Sequence, residues 1–186
     1  MAKQENKTEE QRGRFHSELF DWGEALLISL TVVILVFVFF VRIIGVDGHS
    51  MVPTLEDRDQ LLVTNIAYTP EKGDIIVLTK DSFLPVPIVK RVIATEGDEV
   101  DIDFERGVVS VNGEELEEPY TAEPTYNQID MEFPQTVPEG CVFVMGDNRN
   151  HSSDSRDSTL GMVDTRYILG RVICRIYPLN KFGPVS

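Results

Sequence analysis

The feature that most constrains this chain is an uncharged run of seventeen residues, 25–41, reading Ala-Leu-Leu-Ile-Ser-Leu-Thr-Val-Val-Ile-Leu-Val-Phe-Val-Phe-Phe-Val. Arg42 can snorkel, and Ile43, Ile44, Gly45 and Val46 carry the span past the roughly 20 residues that a bilayer requires. A buried core helix is the bland alternative, but nothing else in the sequence is helical enough to surround one. A cleaved secretory leader is the more serious rival, because Val46-Asp47-Gly48 loosely satisfies the small-residue rule. The apolar run is too long for a usual leader core, however, and Arg42 interrupts the approach to such a cut. The expectation is a retained transmembrane anchor over residues 25–46.

The flanks give that anchor a direction. Residues 1–24 are polar and aperiodic, which predicts a mostly disordered tail, with Phe15, Leu19, Phe20 and Trp22 as an interfacial aromatic turn. His16 reads as a surface residue. Lys3, Lys7, Arg12 and Arg14 precede the run, against Arg42 and Arg58 beyond it, so the amino terminus is expected inside and residues 47–186 outside. Net charge is -14, with 31 acidic against 17 basic residues, which argues against a nucleic-acid partner. Cys141 and Cys174 fit neither a disulfide scaffold nor a zinc spacing; each reads as a buried thiol, with a single disulfide as the alternative.

Beyond Asp59 the sequence is mainly β. Short β-branched runs at 61–63, 74–78, 87–95, 100–104, 108–111, 141–145 and 171–176 are separated by Gly, Pro, Asn and acidic residues. Asn112-Gly113 after a strand is a strong tight-turn signal. This spacing predicts an antiparallel or mixed sheet assembly, barrel-like, rather than βαβ units. Residues 114–140, with Pro119, Pro124, Pro134, Pro138 and many acids, read as an extended, solvated excursion.

Three places carry candidate chemistry. In Gly48-His49-Ser50-Met51-Val52-Pro53-Thr54-Leu55, a serine sits between two backbone-restricting residues, presented in one orientation as a nucleophile needs to be. A serine hydroxyl is too weakly acidic to attack an amide without a base. Strand periodicity in 88–95 places Ile88, Lys90, Val92 and Ala94 on one face, so Lys90 is either a desolvated base or an edge-strand lysine that blunts aggregation. Arg91 points to the opposite face and, once buried, requires a carboxylate. The polar cluster Gly146-Asp147-Asn148-Arg149-Asn150-His151-Ser152-Ser153-Asp154-Ser155-Arg156 follows an apolar strand and is either a plain turn or support for catalytic groups. Composition also permits a Ser-His-Asp machine from Ser50, His151 and Asp154. His49, adjacent to Ser50, is poorly placed to face it.

These residues resemble the bacterial type I signal peptidases, membrane-anchored Ser-Lys proteases that remove signal peptides from exported proteins. The resemblance runs from the anchor to the end of the chain. Gly48-x-Ser50-Met51-x-Pro53-Thr54 is similar to the family's nucleophile box, and Gly73-Asp74-Ile75-Ile76-Val77 to its next strand box. Lys90-Arg91-Val92-Ile93 with Gly97-Asp98 resembles its lysine box, and Gly146-Asp147-Asn148-Arg149 with Ser152, Asp154, Ser155 and Arg156 its last.

The resemblance implies Ser50 as nucleophile, Lys90 as general base and Ser152 as the group that orients the lysine. It further implies supporting ion pairs Asp147 with Arg91 and Asp154 with Arg156, and a catalytic β-domain with an apolar surface toward lipid. The implied substrates are secretory preproteins with small residues at the first and third positions before the cut; no metal or cofactor is implied. Gly48 replaces the oxyanion-binding serine of proteobacterial members, as in short Gram-positive members with a single anchor, leaving the Ser50 backbone N–H as the identified oxyanion donor. The gap from Arg156 to Gly161 is longer than in many members. Two rivals remain at this point. A self-cleaving Ser-Lys repressor would want a DNA-binding segment instead of an anchor, and a membrane-tethered, non-enzymatic binding module with a decayed site would have no need of both Ser50 and Lys90.

Overall fold

The apolar run starts as an α-helix and does not end as one. The computed structural model describes residues 20–35, 41–80 and 82–185, and residues 20–35 are helical. Large apolar side chains from Leu26 to Leu35 are each about half exposed or more on this helix, while Ser29 and Thr31 return their hydroxyls to the Leu26 and Leu27 carbonyls. No helix among the described residues is long and apolar enough to cross a membrane. The tail expected over 1–19, with Phe15, His16 and Leu19, and residues 36–40 of the expected anchor lie outside the described residues. Phe20 and Trp22, assigned to the tail by sequence, belong to the helix.

The carboxyl end of the expected anchor is corrected. Val41–Gly45 is a strand, β1, and Val46 is buried in the core beside Met51 and Leu55. Val41, Ile43 and Ile44 are β-branched, so local preference favours a strand over the last turn of a helix. From Arg42 onward the chain forms one compact unit.

Its other strands are β2 (Gln60–Thr64), β3 (Ile75–Lys80), β4 (Leu84–Thr95), β5 (Glu99–Asp103), β6 (Val108–Val111), β7 (Glu114–Glu115), β8 (Gln135–Thr136), β9 (Cys141–Met145), β10 (Val163–Asp164), β11 (Ile168–Tyr177) and β12 (Gly183–Pro184). A large sheet runs β1-β2-β11-β3-β4-β9-β10, with β12 also on β11, and a smaller one runs β7-β6-β5-β8. Antiparallel pairs join β2 to β11, β11 to β3, β3 to β4 and β4 to β9. The mainly β, antiparallel expectation therefore holds. Asn112 and Gly113 both take positive φ, 55° and 78°, and close the two-residue hairpin from β6 to β7 that their sequence predicts.

Strand β4 is the spine of the large sheet and the carrier of its chemistry. Lys90 pairs with Ile76 and Arg91 with Ile75 on β3, and Arg91 also pairs with Met145 on β9. Alternation puts Lys90 with Ile76, Ile88 and Val92, members or neighbours of one apolar cluster. The expected row breaks after Val92, where the register with β9 shifts. The bulge sends Ala94 together with Ile93 into a different cluster, around Phe143 and Val100.

Candidate active site

The serine is held by a loop whose two ends are tied together. Between β1 and β2, the Val46 N–H donates to the Asp59 carbonyl at 2.8 Å and the Arg58 N–H to the Val46 carbonyl at 2.9 Å. Gly48, at φ +97°, takes a conformation that a side chain would resist, and its N–H donates to Asp57 Oδ1. Met51 and Leu55, 1% and 0% exposed, anchor the next turn in the core. Thr54 bridges outward: its hydroxyl donates to Asp147 Oδ2 at 2.5 Å, and its carbonyl accepts from Arg175, which also pairs with Asp59.

Into this loop reaches Lys90. Its Nζ lies 2.8 Å from Ser50 Oγ, and the residue is 3% exposed. Burial pushes its pKa down to about 8; the fields of Asp154 and Asp147 oppose that fall, and Arg156 adds to it. The lysine is therefore an interior group, not an edge-strand gatekeeper. A large share of it is neutral just above pH 8, where the free pair on nitrogen can accept the serine proton.

Arg91, one residue on, is buried with a partner. Its Nε and Nη2 donate to Asp147 Oδ1 and Oδ2 at 2.8 and 2.7 Å, and its Nη1 donates to the Gly73 carbonyl. Asp154 and Arg156 form a second buried fork, at 2.8 and 2.9 Å. Asp154 also accepts from the Gly146 N–H, and Arg156 donates to the Arg149 and Asn127 carbonyls. The polar cluster thus consists of rigid struts and not of a solvated turn.

That cluster grips the serine's own backbone. The Asn148 N–H donates to the Ser50 carbonyl and its side-chain amide to the His49 carbonyl, both at 3.0 Å. Gly146 makes the approach possible, since a Cβ there would stand 2.4 Å from the Ser50 carbonyl oxygen and 2.3 Å from Ser152 Oγ.

Other expectations fare differently. Ser152 is buried, yet its hydroxyl has no hydrogen-bond partner among the described residues, so the implied bond to Lys90 is not made here. His151 is exposed in the turn Arg149–His151, and among the described residues no side-chain hydrogen bond links it to Ser50 or Asp154. Asp154 is committed to Arg156 and Gly146, so the Ser-His-Asp arrangement is not assembled. Cys141 and Cys174 are both free and only partly buried, which corrects the reading of each as a buried thiol. The long gap after Arg156 folds into turns around Asp157, whose carbonyl accepts from Leu160 and Gly161, and buries Leu160 completely.

Sequence reasoning missed the excursion's part in this site. Glu118 and Thr125 hold the buried Arg149, and Tyr120 stacks on Arg91 with the guanidinium carbon 3.9 Å from the ring centroid. The available signal was the tyrosines and threonines set among the acids of residues 114–140.

A hydroxyl beside a desolvated amine, with two buried ion pairs behind, is equipped for serine-type hydrolysis of an amide. The comparisons with known proteins agree. The family described as signal peptidase, peptidase S26, matches residues 19–177. Signal peptidase I of Bacillus licheniformis is 35% identical over 184 residues, covering 94% of this chain and 97% of that protein. Probable signal peptidase I-1 of Synechocystis is 36% identical, covering 87% and 84%; signal peptidase I S of Bacillus subtilis is 34% identical, covering 88% and 91%. The chain belongs to the peptidase S26 signal peptidase family. Its activity is that of a serine peptidase that cleaves signal peptides from preproteins.

Proposed function

We propose that this signal peptidase is a membrane-anchored endopeptidase that works through a Ser50–Lys90 dyad. The observation that carries the reading is the 2.8 Å approach of a buried lysine amine to the serine hydroxyl. Neutral Lys90 takes the Ser50 proton as Oγ attacks the scissile carbonyl, and the Ser50 backbone N–H donates to the developing oxyanion. The Lys90 ammonium returns a proton to the departing amine, leaving an acyl-enzyme. Lys90 then removes a proton from water, whose attack releases the acyl group and restores Ser50. The ion pairs Arg91–Asp147 and Asp154–Arg156 hold the strand and loop that carry these groups, and Ser152 lies against Gly146, which packs on the Ser50 carbonyl.

The apolar run 25–41 serves as the anchor, with the amino terminus cytoplasmic and the catalytic unit on the extracytoplasmic face of the bilayer. Substrates are secretory preproteins with small residues before the cut, and the charge of -14 disfavours nucleic acid as a partner. The deciding experiment incubates the full chain with a model preprotein and maps the cut by mass. Cleavage after the small-residue site, lost in Ser50→Ala and in Lys90→Met, is the expected result. Loss in His151→Ala as deep as in Lys90→Met would replace the dyad with the Ser-His-Asp reading.

A further inference from the structure

The acidic excursion between β7 and β8 looks in sequence like solvated surface, and part of it is not. Thr125 is fully buried. Its N–H donates to the Gly107 carbonyl, and Gly107 has no room for a Cβ, which would lie 2.5 Å from Pro124. The segment is therefore pinned against the turn between β5 and β6. From that pin, three side chains reach toward the catalytic loops.

Arg149 receives two of them. Its Nη1 and Nη2 donate to Glu118 Oε2 and Oε1 at 2.6 and 2.5 Å, and Nη1 also donates to Thr125 Oγ1 at 3.0 Å. With this end fixed, Arg149 Nε donates to the Gly146 carbonyl at 3.1 Å. Gly146 is the residue wedged against the Ser50 carbonyl, and Asn148, two further on, donates to that same carbonyl. The third side chain is Tyr120. Its ring lies 3.9 Å from the Arg91 guanidinium carbon, its hydroxyl donates to Glu118 Oε1 at 3.1 Å, and burial pushes its pKa up to about 12, which keeps that hydroxyl a donor. The ring covers a charge that is already paired with Asp147, and desolvation strengthens such contacts. Glu118 thus holds Arg149, which donates to Gly146 on the serine side, and Tyr120 covers Arg91 on the lysine strand.

We infer that the segment carrying Glu118, Tyr120 and Thr125 is a positioning strap for the catalytic pair, with Tyr120 its principal positioning residue. The inference rests on the Ser50–Lys90 reading. Tyr120 and Glu118 touch no reacting atom. They set the distance between a serine held through Gly146 and Asn148 and a lysine held through its neighbour Arg91. A displacement of about 1 Å in such a pair can cost about a hundredfold in rate.

The test measures kcat and KM of the full chain in detergent on a model preprotein, for Tyr120→Ala, Tyr120→Phe, Glu118→Gln and Arg106→Ala. Arg106, in the turn between β5 and β6, pairs with Glu115 of β7 at the surface and serves as the control for general loosening. Tyr120→Ala is expected to lower kcat by about 10- to 100-fold with KM within about twofold. Tyr120→Phe, which keeps the ring over Arg91, recovers most of the rate. Glu118→Gln, which keeps the side-chain volume, falls between them and covers the case in which Tyr120→Ala does not fold. Arg106→Ala behaves as wild type. Wild-type kcat in a folded Tyr120→Ala or, failing that, in Glu118→Gln overturns the inference, as does a loss confined to KM, or an equal loss in Arg106→Ala. Lys90→Met run alongside separates the two ideas. If it stays active, the dyad reading falls; if it is dead while the strap variants match wild type, only the strap falls.

Discussion

Lys90 and Arg91 are adjacent on β4 and almost equally hidden, 3% and 2% exposed, yet the two faces of the strand treat their cations in opposite ways. On the Arg91 face a carboxylate, a carbonyl and an aromatic ring meet the guanidinium. On the Lys90 face the strand row is apolar, and the amine has a serine hydroxyl within reach and, among the described residues, no carboxylate in contact. A buried guanidinium with such partners acts as a strut; a buried amine without a carboxylate in contact holds its proton less tightly, as a general base must. Side-chain type contributes too, since a guanidinium does not deprotonate in a protein, whereas an ammonium does so readily when desolvated.

Changes on each face should therefore read out differently. The largest effect is expected on the lysine face, where Lys90→Met lowers the turnover of a model preprotein by about a thousandfold or more; a mild loss would show that the amine is not the base. On the arginine face the readout is stability. Asp147→Ala leaves a buried guanidinium unpaired and should cost about 3–5 kcal/mol, seen as a lowered denaturation midpoint. An unchanged midpoint would remove the distinction between the two faces.

Third in size is a gain. With the Lys90 pKa down to about 8 from an ordinary 10.5, the unfolded chain binds the extra proton between those values, and stability falls as pH drops through that window. The penalty is complete below pH 8, where it amounts to about 3 kcal/mol. Lys90→Met should thus be more stable than wild type near neutral pH, and the difference should close as pH rises to 10.5. Equal stability of the two proteins across that range would mean a solvated lysine. Wild-type turnover should rise through about pH 8 with a single ionisation. The smallest effect is expected at exposed His151, where His151→Ala should leave turnover within about twofold of wild type.

Sequence made one half of this contrast more legible than the other. The apolar row of period two around Lys90 is a local signal, one that suits a desolvated base and an edge-strand lysine alike. The partner of Arg91 lies 56 positions away, and no local pattern reaches that far; the resemblance to a family nominated Asp147. Strand periodicity could not foresee the bulge at Ile93, because register shifts depend on how β4 meets β9. The end of the apolar run was misjudged for a related reason: hydropathy measures a preference for lipid, and the same β-branched residues suit a strand edge when a partner strand is available. Tyr120 and Glu118 were invisible because charge-rich composition looks alike whether its side chains face water or a buried arginine.

The tie between Val46 and Asp59 has a mechanical meaning. Strand β1 is bonded to β2, and directly after it the two ends of the serine loop clasp each other. Ser50 therefore sits in a loop closed at its base by two backbone hydrogen bonds, so the loop's span is fixed before the chain reaches the serine.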